Sequence, residues 1–249
     1  MSNTQPVLLI TGGSRGIGAA TAKLAAQRGY AVAINYVKDK SAAEKVVAKI
    51  KTEGGDAQAF CANVSDWSQV QTLFTSVNEV FGTVTALVNN AGIAGGFSTI
   101  VDTTPEKLNR VFSTNLFSGF FCIRLAVDQM AYSKGGKGGV IVNVSSQAAI
   151  QGGNLLSAYA ASKAGVNTLT IAAARELATE GIRVNAVSPG IIETDQQLNL
   201  SPERRIALEQ SLPLGRMGQP KEVAATILWL LSKEASYVTG TIIPVTGGR

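Results

Sequence analysis

No histidine occurs anywhere in the 249 residues. That absence excludes a Ser-His-Asp triad, an imidazole base and any zinc site built on histidine. Acid–base chemistry near neutral pH then falls to Asp, Glu, Cys, Lys or Tyr. Cysteine is nearly as scarce. Cys61 and Cys122 form neither a metal-ligating nor a disulfide pattern, which fits a reducing compartment, and no metal is expected. Charged residues make up only 16% against 45% hydrophobic, so disorder is excluded and a core is available. The longest apolar runs, such as Ala224 to Leu231, are too short to cross a bilayer. The first ten residues lack the basic head, apolar stretch and cleavage site of a secretory signal, so a cytoplasmic protein without a membrane partner is expected. The net charge is +5, but the basic residues are scattered. Short clusters such as Lys134/Lys137 and Arg204/Arg205 read as solvated faces, and no nucleic-acid partner is expected. A modest positive field still favours an anionic ligand.

What is present is an alternation. Short β-branched apolar runs predict strands at Val7–Thr11, Ala31–Tyr36, Ala57–Ala62, Ala86–Asn89, Val140–Val144, Arg183–Val187 and Thr241–Val245. Between them lie helix-like stretches: Ile17–Arg28, Ser41–Lys51, Asp66–Val80, one long helix from Pro105 to about Met130, Ser157–Thr179, and Pro220–Leu231. Strands apolar on both faces, each followed by a crossover helix, imply a seven-stranded parallel sheet covered on both sides. This is an α/β, doubly wound, Rossmann-like architecture. No linker or repeat interrupts it, so residues 1–249 are expected to form a single dinucleotide-binding catalytic domain.

The first strand runs straight into Thr11-Gly12-Gly13-Ser14-Arg15-Gly16-Ile17-Gly18 and then into a helix. Glycines allow a sharp turn and close approach of the backbone to a pyrophosphate, while the helix end offers N–H groups and a positive dipole. The spacing Gly-x-x-x-Gly-x-Gly resembles that of the short-chain dehydrogenase/reductase family. The likeness continues with Asn89-Asn90-Ala91-Gly92 after the fourth strand, Asn115 inside the long helix and Ser145-Ser146 closing the fifth strand. Tyr159-x-x-x-Lys163, Pro189-Gly190 and Thr194 complete it.

The resemblance implies a catalytic set of Asn115, Ser146, Tyr159 and Lys163. Tyr159 would exchange a proton with the substrate oxygen, and Ser146 would hold that oxygen. A free phenol has a pKa near 10, so something must stabilise the phenolate. Lys163, one helical turn away, and a positively charged oxidised nicotinamide would do so. Asn115 would kink its helix and hold a water linking Lys163 to solvent. The implied cofactor site comprises Gly12, Ser14, Arg15, Gly16, Ile17 and Gly18 of the loop, and Asn35, Tyr36 and Lys38 about the second strand's end. Asn63, Val64, Asn90, Ala91, Gly92, Tyr159, Lys163, Pro189, Gly190, Ile192 and Thr194 complete that set.

NAD-selective folds carry an acidic residue at the end of the second strand to grip the ribose hydroxyls. Here that position is Tyr36, preceded by Asn35, while Arg15 and Lys38 supply cations for a 2′-phosphate. NADP(H) is the expected cofactor, with NAD(H) as the weaker alternative because Asp39 lies nearby. The family's Asp-Val after the third strand reads Asn63-Val64, whose amide would accept from the adenine amino group. Its C-terminal Asp-Gly-Gly reads Thr246-Gly247-Gly248.

The expected reaction interconverts a carbonyl and a secondary alcohol. Gln147, Ile150, Asn154, Leu155, Ile191 and Ile192 are candidate pocket residues, and a polar lid is expected over Ile191 to about Leu212. A carbonyl reductase of small molecules, a 3-oxoacyl-carrier-protein reductase docking through Lys134 and Lys137, and a non-catalytic NADP-sensing protein all remain open. The family resemblance also implies a homotetramer, with the alanine-rich stretch Ala158–Ala178 permitting close helix approach.

Overall fold

The computed structural model describes residues 5–194 and 201–249. Seven strands form one sheet in the order β3-β2-β1-β4-β5-β6-β7, and every neighbouring pair is parallel. They are β1 (Val7–Ile10), β2 (Ala31–Tyr36), β3 (Asp56–Cys61), β4 (Val84–Asn89), β5 (Gly139–Val144), β6 (Ile182–Pro189) and β7 (Ile242–Val245). The connecting helices are α1 (Gly16–Gln27), α2 (Lys40–Thr52), α3 (Trp67–Phe81), α4 (Pro105–Phe112), α5 (Ser118–Met130), α6 (Ala148–Gln151), α7 (Ser157–Leu177), α8 (Pro202–Gln210) and α9 (Pro220–Leu231). The expected strands and crossover helices are all present, with ends shifted by one or two residues.

Alternation along each strand divides the core between two layers. In β1, Val7 and Leu9 join Leu73, Phe74, Ile123, Ala126 and Leu177 on one face. Leu8 and Ile10 join Ala22, Val47, Ile227 and Leu228 on the other. All four β1 side chains are buried, as a central parallel strand requires. Helix starts follow local chemistry. Asp39 caps α2 by accepting from Ala42 N at 2.9 Å, and Asp66 caps α3 through Ser68 N at 2.9 Å. Gln219 and Glu222 form a reciprocal capping box at α9.

Three expectations need correction. The long helix from Pro105 is not uniform, because Ser113–Phe117 forms a π-helical turn between α4 and α5. A run of apolar residues at helical spacing passes through it unbroken, which hides the wider turn. Residues 105–130 are, by length and composition, enough to cross a membrane, contrary to the sequence expectation. Cys122, Ile123, Ala126 and Met130 of this helix nevertheless pack in the core beside β4. The third correction concerns the expected lid. It contains the helix α8, capped by Ser201 and opened by Pro202, rather than a continuous polar loop. Residues 195–200 of that segment lie outside the described residues.

The strand order reverses between β1 and β4, so the turns after these strands diverge and leave a crevice at their carboxyl ends. The glycine loop follows β1, and Asn90–Gly92 follow β4.

Candidate active site

The glycine loop is held from both sides. Asn90 Nδ2 donates to Thr11 O at 3.0 Å and Gly12 O at 2.9 Å, while Thr11 Oγ1 accepts from the backbone N–H groups of Asn90 and Ala91. On the other flank, Gly12 N donates to Asn35 Oδ1 and Gly13 N to Asn35 O. Gly12 and Gly16 have φ of 62° and 54°, which a side chain would strain. A Cβ on Gly18 would stand 2.6 Å from both Asn90 Nδ2 and Gly12 O. The turn therefore closes only with glycine there. Helix α1 begins without a side-chain cap or an acidic residue in its first turn, leaving its N-terminal amides for an anion. Thr194 flanks the same loop, its Cγ2 lying 3.4 Å from where a Gly16 Cβ would be. The cradle fits a pyrophosphate.

Several expected cofactor residues have other roles. Asn35 is fully buried, and its Nδ2 donates to Ala62 O at 2.9 Å. It braces the loop and β3 rather than facing the crevice. Asn63 Oδ1 already accepts from Ser65 N and Ser65 Oγ, so an adenine amino group would compete with that turn. Val64 is buried in the core, and Ile192 is buried against α9, pairing with Gly218 across a short bridge. Pro189 and Gly190 end β6, where Gly190 N donates to Val245 O and Pro189 O accepts from Gln147 N. Tyr36 closes β2 with its ring in the core. Burial raises the Tyr36 pKa. Arg15 and Lys38 are exposed about this strand end, and Asp39 is turned onto α2.

Ser146, Tyr159 and Lys163 are brought together where β5 meets α7. Ser146 neighbours Tyr159, and Lys163 Nζ stands 5.9 Å from the Tyr159 ring centre. Lys163 is buried, and its Nζ donates to Val144 O at 2.7 Å. Burial lowers the Lys163 pKa to about 8. For Tyr159, burial raises the pKa and the neighbouring Ser146 only partly offsets it.

Asn115 occupies the π-helical turn and is buried. Its Oδ1 accepts from Ile93 N at 2.8 Å, and its Nδ2 donates to Ile93 O and Ser162 Oγ. Its side chain acts as a clamp between the segment after β4 and α7. The sequence reading missed the partners Thr11, Ile93, Val144 and Ser162. Buried hydroxyls and backbone carbonyls carry no motif signature; only the folded neighbourhood identifies them.

Gly92 keeps space open beside Lys163. A Cβ there would lie 3.3 Å from Lys163 Nζ and 3.4 Å from Asn115 Oδ1. Gly92→Ala is expected to fold normally but to turn over about tenfold more slowly, equivalent to ~1.4 kcal/mol, because its methyl fills the gap between these groups. Steady-state kinetics beside circular dichroism check this; unchanged kcat would remove Gly92 from the site.

Comparisons agree with this geometry. A family profile described as Enoyl-(Acyl carrier protein) reductase matches residues 12–249. An Escherichia coli protein named "Uncharacterized oxidoreductase YgfF" is 46% identical over 246 residues, covering 98% of this chain and 99% of that one. The Staphylococcus aureus 3-oxoacyl-[acyl-carrier-protein] reductase FabG is 42% identical over 240 residues, covering 96% of each. A solved double mutant of a Serratia marcescens short-chain dehydrogenase/reductase superposes with a TM-score of 0.90 at 31% identity, covering 98% of each chain. With a seven-stranded parallel sheet, a glycine cradle at its switch point and a Ser–Tyr–Lys cluster beside it, the chain belongs to the short-chain dehydrogenase/reductase family of oxidoreductases.

Proposed function

We infer that this protein is an NADP(H)-dependent reductase that interconverts a carbonyl and a secondary alcohol. The observation that carries this reading is Tyr159 beside buried Lys163 on α7, with Ser146 just past the end of β5 and a glycine cradle nearby. A bound NADP(H) supplies or accepts the hydride at its nicotinamide ring. Tyr159 donates its phenolic proton to the substrate oxygen, Ser146 hydrogen-bonds that oxygen, and Lys163 orients the tyrosine and takes part in its reprotonation. Asn115 holds the segment after β4 against α7. Ser14, Ile17 and Thr194 line the phosphate site, and Ala91 and Gly92 border the nicotinamide end.

The preference for NADP(H) over NAD(H) rests on Tyr36 in place of a ribose-gripping carboxylate, with Arg15 and Lys38 near a 2′-phosphate. The first experiment offers NADPH or NADH with a panel of ketones and aldehydes and follows absorbance of the reduced cofactor. NADPH is expected to be the better donor. Arg15→Glu combined with Lys38→Glu should raise the KM for NADPH by about 100-fold or more, since two charge-assisted contacts at ~1.5 kcal/mol or more each are lost. The KM for NADH should change little. Equal losses for both cofactors would refute the 2′-phosphate assignment.

A second reading, 3-oxoacyl-carrier-protein reductase, is favoured by the names of the staphylococcal relatives. Within one protomer, Lys134 and Lys137 precede β5 and stand at the end of the sheet opposite Tyr159. Lys107 and Arg110 are better placed for an acidic carrier, because they donate to the carbonyls of Gly96 and Gly95 in the segment after β4. Turnover of a carrier-bound substrate that is lost in Lys107→Glu would establish this reading.

A further inference from the structure

The segments that lead into and out of Ser146 and Tyr159, and the loop tied to them, carry large apolar side chains left open to solvent. Phe97 and Ile150 are each 76% exposed, and Leu155 is 43% exposed. Exposing a large apolar side chain is unremarkable once, but three around one opening form a patch with a use. Their segments are joined: Ser98 N donates to Leu155 O at 2.9 Å, which ties the loop after β4 to the loop before α7. Residues 93–97 and 147–156, the two segments that frame this opening, contain no charged side chain. On the lid side, Leu214 N donates to Gly247 O, and Gln147 Nε2 donates to Arg249 O at 2.6 Å. Leu214, 65% exposed, is thereby linked to the residue that follows Ser146.

Leu155 has a second unusual property. Its φ of 58° makes it the one non-glycine residue in the left-handed region among the described residues. For a leucine that conformation is costly, and such outliers persist where the surroundings impose them. Glycine or asparagine would adopt it more easily. A bulky apolar group is kept at a position where the backbone disfavours it, four residues before Tyr159.

We propose that this opening selects a carbonyl substrate with an extended apolar body, received between Phe97, Ile150 and Leu155, and that Leu155 is a specificity-determining residue. The proposal rests on the carbonyl-reductase reading above. The carbonyl sits at Ser146 and Tyr159, and the alkyl or aryl body lies against the apolar walls. Sugars and other polyhydroxylated ketones gain nothing from them. The reaction itself is unchanged: hydride from NADPH reaches the carbonyl carbon, a proton from Tyr159 reaches the oxygen, and NADP⁺ and a secondary alcohol leave.

The test is a series of methyl ketones from 2-butanone to 2-octanone, with dihydroxyacetone as the polar reference, reduced with NADPH. For the wild-type protein, kcat/KM should rise by up to about fourfold for each methylene that reaches the walls, with kcat nearly constant. Phe97→Ala and Leu155→Asn should flatten that rise, with a loss that grows with chain length and is smallest for dihydroxyacetone. Leu155→Gly separates the role from mere structure: releasing the left-handed strain should leave the melting temperature equal or higher, while the KM for 2-octanone rises about tenfold. Turnover that is independent of chain length, or variants that weaken polar and apolar ketones alike, would overturn the proposal and leave the reductase reading standing. No turnover of any carbonyl with either cofactor would overturn that reading and the proposal with it.

Discussion

Tyr159→Phe is expected to lower kcat by about 10²- to 10⁴-fold while leaving cofactor affinity and folding nearly unchanged. The variant removes one oxygen. Tyr159 neighbours Ser146, whereas the glycine cradle is held by Thr11, Asn35 and Asn90. Binding of NADPH, measured by fluorescence or calorimetry, should therefore persist when turnover is gone. The pH dependence carries the same assignment. Burial holds the Tyr159 phenol above its ordinary value in the protein alone, so the acid form is loaded throughout the neutral range. The reductive rate should stay level through neutrality and fall only in alkaline solution, as the proton is lost. The oxidative rate needs the phenolate and should rise with pH over the same interval. Retention of more than a tenth of wild-type kcat in Tyr159→Phe would reassign the proton donor, and with no histidine in the chain Lys163 would be next in line.

The parts of this architecture that were legible in the sequence are those fixed by short-range pattern. The strand β1 and the glycine turn after it are contiguous, so apolar run, turn and helix could be placed from residues 7–27 alone. Tyr159 and Lys163 share a helical face by spacing, and the structure puts them together. The parts that were not legible depend on contacts distant in sequence. Asn35 looked like a cofactor ligand because it precedes Tyr36, yet inward alternation along β2 buries it under the loop. The π-helical turn at Asn115 is dictated by its bonds to Ile93 and Ser162, the latter on a helix 47 positions away. The protonation balance between Tyr159 and Lys163 depends on how deeply each is buried, which spacing does not encode.

Lys163→Met should make the protein more stable at pH 7 even as it disables the site. The wild-type ammonium is buried, and its folded pKa of about 8 lies below the ordinary lysine value of 10.5. Below pH 8 both folded and unfolded chains carry the proton, and the folded state bears the whole desolvation cost. Between pH 8 and 10.5 the folded state has released a proton that the unfolded state still holds, so the penalty diminishes as pH rises; above 10.5 it is gone. At 1.36 kcal/mol per pH unit that interval corresponds to a cost of about 3 kcal/mol at pH 7. Methionine removes the cost but also the hydrogen bond from Nζ to Val144 O, which contributes about 1–2 kcal/mol in the wild type. The net expectation is a gain of roughly 1–2 kcal/mol, or a melting temperature higher by about 2–8 °C, at pH 7. At pH 11 the sign reverses, because only the lost hydrogen bond remains and the variant becomes the weaker protein. Calorimetric scans at the two pH values decide the matter. A variant destabilised equally at both would mean that the Lys163 ammonium is fully compensated where it lies, and the charge at this position would then be a structural asset rather than a cost retained for chemistry.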